Sequence, residues 1–123
     1  MFDGKWYIIP ESVKTRWASP ENPRSKKGNG GRSSFGRKGQ AYFFIRPKER
    51  ITLAEVKNSS GIIRRIWMTL HNLCPRLLKQ VRLEFYWDGA KRPAVNVPLG
   101  DFFCMGLGRM TAFESACFSS PEG

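Results

Sequence analysis

Apolar and polar residues alternate most regularly between Val81 and Phe103. One side of this extended run consists of Val81, Leu83, Phe85 and Trp87, and the other of Arg82, Glu84 and Tyr86. A period of two predicts a strand. Asp88-Gly89 follows it with turn chemistry, since glycine reaches positive φ without a Cβ penalty and aspartate tolerates it. Ala94 to Val97 then resumes the extended pattern, so the stretch predicts a hairpin that is broken at 98–100.

Shorter runs of β-favouring residues flank this hairpin. They lie at 40–45, 51–56, 62–70 and near 112–118, with turn-forming residues between most of them. The segment 76–80, in the connection leading into Val81, is the only one where a helical turn competes. We count about six or seven strands, which is typical of a sandwich. The pattern predicts an all-β protein, a jelly-roll type β-sandwich that is incomplete because it lacks its last strands.

A chain of 123 residues is long enough for one domain. We divide it into an N-terminal arm at 1–17, a Gly/Pro-rich basic loop at 18–39 and the sandwich at 40–123. The arm contains the short aromatic run Trp6 to Ile9, which Pro10 ends.

The basic loop contains no periodic apolar pattern. Gly28, Gly30 and Gly31 permit close backbone approach, and positive charge comes from Lys26, Lys27, Arg32, Arg37 and Lys38. Two interpretations stay open, an anion- or sugar-binding loop and a flexible basic segment. The spacing matches neither a Walker A loop nor a dinucleotide fingerprint.

The net charge of +11 is uneven along the chain. Residues 1–50 carry twelve Lys/Arg against four acids, and residues 51–123 carry nine against six. A basic surface raises the hypothesis of nucleic-acid binding, but charge without a recognition motif is more often a solvated face. Nucleic acid is therefore the weakest of the partners that we consider.

Cysteine and histidine usage excludes several kinds of site. Cys74, Cys104 and Cys117 have no metal-ligand spacing and are odd in number, which predicts free buried thiols. His71 is the single histidine, so the sequence predicts no metal or cofactor that needs two imidazoles. Without an apolar leader or a run of about 20 apolar residues, we expect a cytoplasmic chain with no membrane partner.

The acid–base candidates are five carboxylates, Asp88, Asp101, Glu84, Glu114 and Glu55, of which Glu84 and Glu55 fall mid-strand on polar faces and are expected to be solvated. Sugar hydrolysis needs two carboxyl groups about 5–10 Å apart. Asp88 in an Asp-Gly turn is more typical of a turn former, and Asp101, between Gly100 and two phenylalanines, has the better claim to a partly buried site, with a capping role left open. Trp67, Trp87, Phe102 and Phe103 are either sandwich core or platforms for a sugar ring.

Several segments in order carry a family resemblance. GIIRRIWMTL, then VRLEFYWDGAKRPAVNVPLGDFF and FESACFSSPEG, with WASPENPRSKKGNGGRSSFGRKGQ and ITLAEV upstream, resemble the N-terminal portion of glycoside hydrolase family 172, formerly domain-of-unknown-function family 2961, a bacterial family. The resemblance extends from about Trp17 to Gly123. It implies a double jelly-roll, of which this chain is the first half, and assembly as trimers or pairs of trimers with active sites near protomer interfaces.

The resemblance also implies an activity and a set of site residues. Family members are retaining hydrolases of furanosides, including arabinofuranose and fructofuranose linkages such as those of difructose anhydrides, and their two catalytic glutamates lie in a later part of the sequence. No glutamate of this chain receives that role, so the chain alone is expected to be inactive, as a truncated product or as half of a split protein. By position, the sugar-bordering residues are Trp67, Trp87, Asp88, Asp101 and Phe103. The alternative is a non-catalytic carbohydrate-binding or assembly module.

Overall fold

The computed structural model describes Ile8 and residues 10–36, 39–109 and 111–120. It divides the chain into two compact units, Met1–Ile62 and Ile63–Gly123. Most of the predicted Trp6 to Ile9 run, the basic residues Arg37 and Lys38, and residues 121–123 lie outside the described part of the chain.

The second unit contains the predicted hairpin. Strand β1 spans Arg82–Phe85 and strand β2 spans Val95–Pro98. The strands are antiparallel, with Leu83 opposite Val97 and Phe85 opposite Val95. Asp88 and Gly89 have φ of 52° and 71°, and the N–H of Ala90 donates to the carbonyl of Trp87 at 2.9 Å. Two consecutive positive φ values are typical of the tight turn that the Asp-Gly pair predicts.

Two short helices flank the hairpin. Helix α1 spans Pro75–Gln80 and helix α2 spans Leu99–Phe102. Pro75 suits the first position of α1 because its missing N–H has no partner there in any case, and the Cys74 side chain accepts from the N–H of Leu77. At 76–80, where a helical turn competed with an extended connection, the chain is therefore helical.

The core of the second unit joins these elements. Leu78 of α1, Leu83 of β1 and Leu99 of α2 are its buried apolar residues. A methyl group added at Gly100 would lie 2.9 Å from Cβ of Leu78 and 3.1 Å from its carbonyl oxygen. Glycine is thus what allows α2 to approach α1 closely.

A second hairpin follows in the same unit. Strand β3 spans Phe113–Glu114 and strand β4 spans Ser119–Ser120, paired antiparallel. The N–H of Ser115 donates to the carbonyl of Phe118 at 2.9 Å and closes the connection. The strand predicted near 112–118 is thus a hairpin of two very short strands.

The first unit consists mainly of turns. Its described regular elements are a 3-10 helix at Ser33–Gly36 and an isolated antiparallel bridge between Ser19 and Asn22. The predicted loop at 18–39 accordingly has little regular secondary structure over its described residues.

The strands predicted at 40–45, 51–56 and 62–70 are not present as paired strands. A strand exists only where its backbone N–H and C=O groups meet a neighbour, and β propensity alone supplies none. Large apolar side chains in these ranges are exposed, among them Tyr42, Phe44, Val56 and Ile62. The all-β jelly-roll remains a prediction, since the described sheets are two hairpins.

Candidate functional site

Five aromatic side chains of the second unit form one cluster, which we call the aromatic cluster. Its members are Phe85, Trp87, Phe102, Phe103 and Phe118. Phe85 ends β1 and Trp87 lies two residues after it. Phe102 ends α2 and Phe103 follows it, and Phe118 lies in the connection before β4. The hairpin, α2 and the last hairpin therefore meet at this cluster.

Ring geometry shows how the members pack. Phe85 and Trp87 are stacked, with centroids 5.5 Å apart and planes 9° apart. Phe102 lies 5.4 Å from Phe85, 5.1 Å from Phe103 and 5.8 Å from Phe118 between centroids. The stacked pair follows from the strand alternation, because residues i and i+2 of a strand lie on one face.

Trp87 gives the aromatic cluster an exposed edge. Its side chain is 48% exposed, whereas the four phenylalanines are half-buried. An indole that is packed on one face and open to solvent elsewhere can stack on the apolar face of a sugar ring, with its N–H available as a donor. Of the predicted site residues, Trp87 and Phe103 belong to this cluster.

Trp67 lies apart from the aromatic cluster. It is 64% exposed, and no ring contact joins it to another described residue. The five predicted residues therefore do not form a single constellation.

The two predicted aspartates have structural tasks. Asp88 occupies the first positive-φ position of the β1–β2 turn. Asp101 lies in α2, and its Oδ1 accepts from the ammonium group of Lys79 in α1 at 2.5 Å. An acid–base pair would need both carboxylates aimed at one bond, and here one is committed to a turn and the other to a lysine.

The cysteines are free, as predicted, but all three are exposed, so the prediction of burial is wrong. Cys74 shows the reason, because its sulfur caps α1 at the surface and does not fill the core. Among the described residues, no group of three or more His, Cys, Asp or Glu side chains is arranged to hold a metal ion. No helix in the described ranges is long and apolar enough to cross a membrane.

Sequence reasoning missed the organising role of Glu21 in the first unit. Its carboxylate accepts hydrogen bonds from the backbone N–H of Gly31 and, at 3.0 Å, from that of Ser33. These donors lie ten and twelve residues away, so no local pattern reveals the contact. The available signal was an acid beside a glycine-rich loop whose backbone N–H groups lack secondary-structure partners.

These hydrogen bonds lower the pKa of Glu21 from an ordinary 4.5 to about 2. The backbone N–H of Ser33 is the largest cause, followed by its hydroxyl, and the N–H groups of Gly31 and Gln40 add to the effect, while desolvation opposes it. Hydrogen bonds that favour the ionised carboxylate lower its pKa. Glu21 is therefore a fixed anion that organises the loop.

Asn22 and Glu55 hold the neighbouring part of the first unit. Asn22 is buried, and its side chain accepts from the N–H of Lys26 at 3.0 Å and donates to the carbonyl of Lys26 at 3.1 Å. Glu55 pairs with Lys57 and Arg24, each at 2.9 Å, and these cations lower its pKa, Lys57 first. The loop that was predicted to be structureless thus has a defined set of internal hydrogen bonds.

Comparison with known proteins identifies the family of this chain. Residues 37–117 match a family model described as GH172 domain-like, which places a glycoside-hydrolase-related domain in this chain. The match covers more than half of the sequence, so the chain belongs to the GH172 domain-like family, and the resemblance identified from its motifs is confirmed. A search of curated proteins found no match, and a search of solved structures found none.

Proposed function

We propose that this chain supplies part of the sugar pocket and scaffold of a furanoside-acting glycoside hydrolase. Membership of the GH172 domain-like family supports the glycoside-hydrolase context. The observation that carries the proposal is the aromatic cluster, in which Trp87 is stacked on Phe85 and still half exposed. The substrates that fit the family resemblance are arabinofuranosides and fructofuranosides.

The proposed contribution is binding and not hydrolysis. Asp101 is bonded to Lys79 and Asp88 forms a turn, so neither is assigned as the reacting carboxylate. Trp87 and Phe103 would border the sugar, with Trp87 as the stacking surface. Hydrolysis by the family's mechanism would require two glutamates that are not assigned to any position here.

Titration of the 123-residue chain with arabinofuranose and fructofuranose oligosaccharides tests the proposal. Binding through Trp87 predicts a change in tryptophan fluorescence that saturates. Trp87→Ala should abolish the response or weaken binding about tenfold, since a well-placed aromatic contact contributes on the order of 1–1.5 kcal/mol. Trp17→Ala is the matched control, because Trp17 is also exposed but lies in the first unit.

Equal losses in the two variants, or no response to either sugar, would refute sugar binding by the aromatic cluster. A saturable response that Trp87→Ala leaves unchanged would place the sugar elsewhere. Circular dichroism of both variants checks that the fold is retained.

We also propose that the chain supplies oligomer contacts, since its full-length relatives are expected to form trimers or hexamers. Exposed apolar side chains in the first unit, such as Tyr42 and Phe44, and in the second, such as Ile63, support this proposal. Tyr42 and Phe44 are in ring contact, with centroids 5.6 Å apart, and an exposed apolar patch of this kind is typical of interfaces. Light scattering coupled to size-exclusion chromatography would give the mass directly, and a monomer at all concentrations would refute the assembly.

A further inference from the structure

In the basic loop, Arg32 and Phe35 are exposed side chains on a segment whose backbone is held by hydrogen bonds to the Glu21 carboxylate. Arg32 lies between Gly31 and Ser33, and the Glu21 carboxylate accepts from the N–H groups of both neighbours. Phe35, three residues later, is fully exposed at 105% and has φ of 56°. A bulky residue with positive φ is a conformational outlier, and such outliers cluster at functional positions.

The sequence that precedes this pair is basic. Residues 21–33 contain Arg24, Lys26, Lys27 and Arg32 against the single acid Glu21. Arg24 is neutralised by Glu55, and Glu21 is occupied by backbone N–H groups. Lys26, Lys27 and Arg32 are exposed, and no carboxylate of the described residues forms a salt bridge with them.

The backbone that carries these cations is held by specific bonds. Asn22 fixes Lys26 through both its N–H and its carbonyl, and the N–H of Asn29 donates to that same carbonyl at 3.2 Å. Nη1 of Arg32 donates to Oδ1 of Asn29 at 3.2 Å, which orients the guanidinium. Ordering before binding lowers the entropic cost of binding a ligand.

We propose that this loop is a binding site for negatively charged sugars, with Arg32, Lys26 and Lys27 contacting the anionic group and Phe35 stacking on the ring. The proposal rests on the proposed function only in taking a carbohydrate as the ligand. Guanidinium groups bind carboxylate, sulfate and phosphate groups through paired hydrogen bonds, and an exposed aromatic ring covers an apolar sugar face. Glu21 is a positioning residue, because it acts on the ligand only through the backbone on either side of Arg32.

Binding of oligogalacturonate and of sulfated dextran oligosaccharides to the full chain, by isothermal titration calorimetry, tests the site. Arg32→Ala should weaken both about tenfold, the effect of losing one charge-assisted hydrogen bond, and Phe35→Ala should weaken them as well. Arg64→Ala is the matched control, since it removes the same charge from an exposed position of the second unit.

Glu21→Gln separates positioning from net charge. It raises the net charge by one, so a merely electrostatic surface would bind acidic sugars more tightly, whereas loss of the clamp on Gly31 and Ser33 predicts weaker binding. Tighter binding in this variant would overturn the site, as would equal losses in the Arg32 and Arg64 variants.

Binding experiments with other ligands identify the class of ligand. A DNA oligonucleotide of matched charge should bind more weakly than the acidic sugars and without dependence on Phe35, and preferential DNA binding would overturn the proposal. Neutral furanose oligosaccharides should respond to Trp87→Ala and not to Arg32→Ala. The two sites can therefore fail independently of one another.

Discussion

The ammonium nitrogen of Lys79 lies 2.5 Å from Oδ1 of Asp101, and this ion pair links α1 to α2 across 22 residues of sequence. Both side chains keep part of their surface in water, 45% for Lys79 and 35% for Asp101. Beneath the pair, Leu78 packs against Gly100, so one polar and one apolar contact join the same two helices. Asp101 is thus a structural residue of the second unit.

Breaking this pair should destabilise the chain modestly. Asp101→Asn should lower the free energy of unfolding by about 0.2–1 kcal/mol, because a partly exposed ion pair is screened by water. Chemical denaturation at low and high salt would measure the loss, which should shrink as salt is added. In a double-mutant cycle, Lys79→Met should add little to Asp101→Asn, and fully additive losses would contradict the contact. Lys91→Met, at another exposed lysine, is the control.

Removing the buried Leu78 side chain should cost much more. Leu78 is 0% exposed, and Leu78→Ala deletes apolar contacts and leaves a cavity, a loss of about 2–5 kcal/mol. Leu107→Ala makes the same chemical change at a side chain that is 85% exposed and should stay within about 0.5 kcal/mol of the parent. Urea denaturation of the two variants gives the comparison, and similar losses would show that α1 contributes no core.

Local sequence signals predicted the parts of the fold that depend on near neighbours. Alternation before Asp88-Gly89 predicted β1, that pair predicted the turn, and the extended pattern of Ala94 to Val97 predicted β2. The absence of β-branching at 76–80 indicated that a helical turn competes there. The contact between Lys79 and Asp101 was beyond that reasoning, because its partners are joined only when the two helices pack. The segment 40–45 was predicted as a strand and forms none for a related reason. β propensity is a property of one segment, whereas a paired strand also needs a second segment beside it.

Membership of the aromatic cluster was predictable to a similar extent. Of the four predicted aromatic platforms, Trp87, Phe102 and Phe103 share one cluster and Trp67 lies apart, while Phe118 was missed because it joins from a distant hairpin. Glu21 was missed for the same reason. Its partners are backbone N–H groups, which every residue except proline has, so residue types alone gave no sign of them.

Asp88 should tolerate the loss of its charge but not of its turn preference. Asparagine adopts left-handed φ readily, so Asp88→Asn should be nearly neutral in stability, whereas Asp88→Ala should cost about 1 kcal/mol at a φ of 52°. Thermal unfolding of both variants measures the difference. Furanoside binding should be the same in the parent and in Asp88→Asn. If the asparagine variant stayed as stable as the parent but lost sugar binding, Asp88 would be a pocket residue as well as a turn residue.

Glu21 should remain ionised in strongly acidic solution. The hydrogen bonds to its carboxylate lower the pKa in the folded chain to about 2, below the ordinary 4.5. A depressed folded-state pKa means that the stabilisation is fully present above about pH 4.5 and is lost as the pH falls toward 2. Carbon-detected NMR titration of the side-chain carboxyl should give the low midpoint directly. Hydrogen exchange at the N–H groups of Gly31 and Ser33 should accelerate over the same pH window, relative to exchange at N–H groups of the second unit. Glu21→Gln removes the titrating group, so in that variant the two N–H groups should be less protected at neutral pH and their relative protection should not change across the window. An ordinary midpoint near 4.5, or equal protection of these N–H groups in the parent and the variant, would show that the carboxylate does not hold the loop.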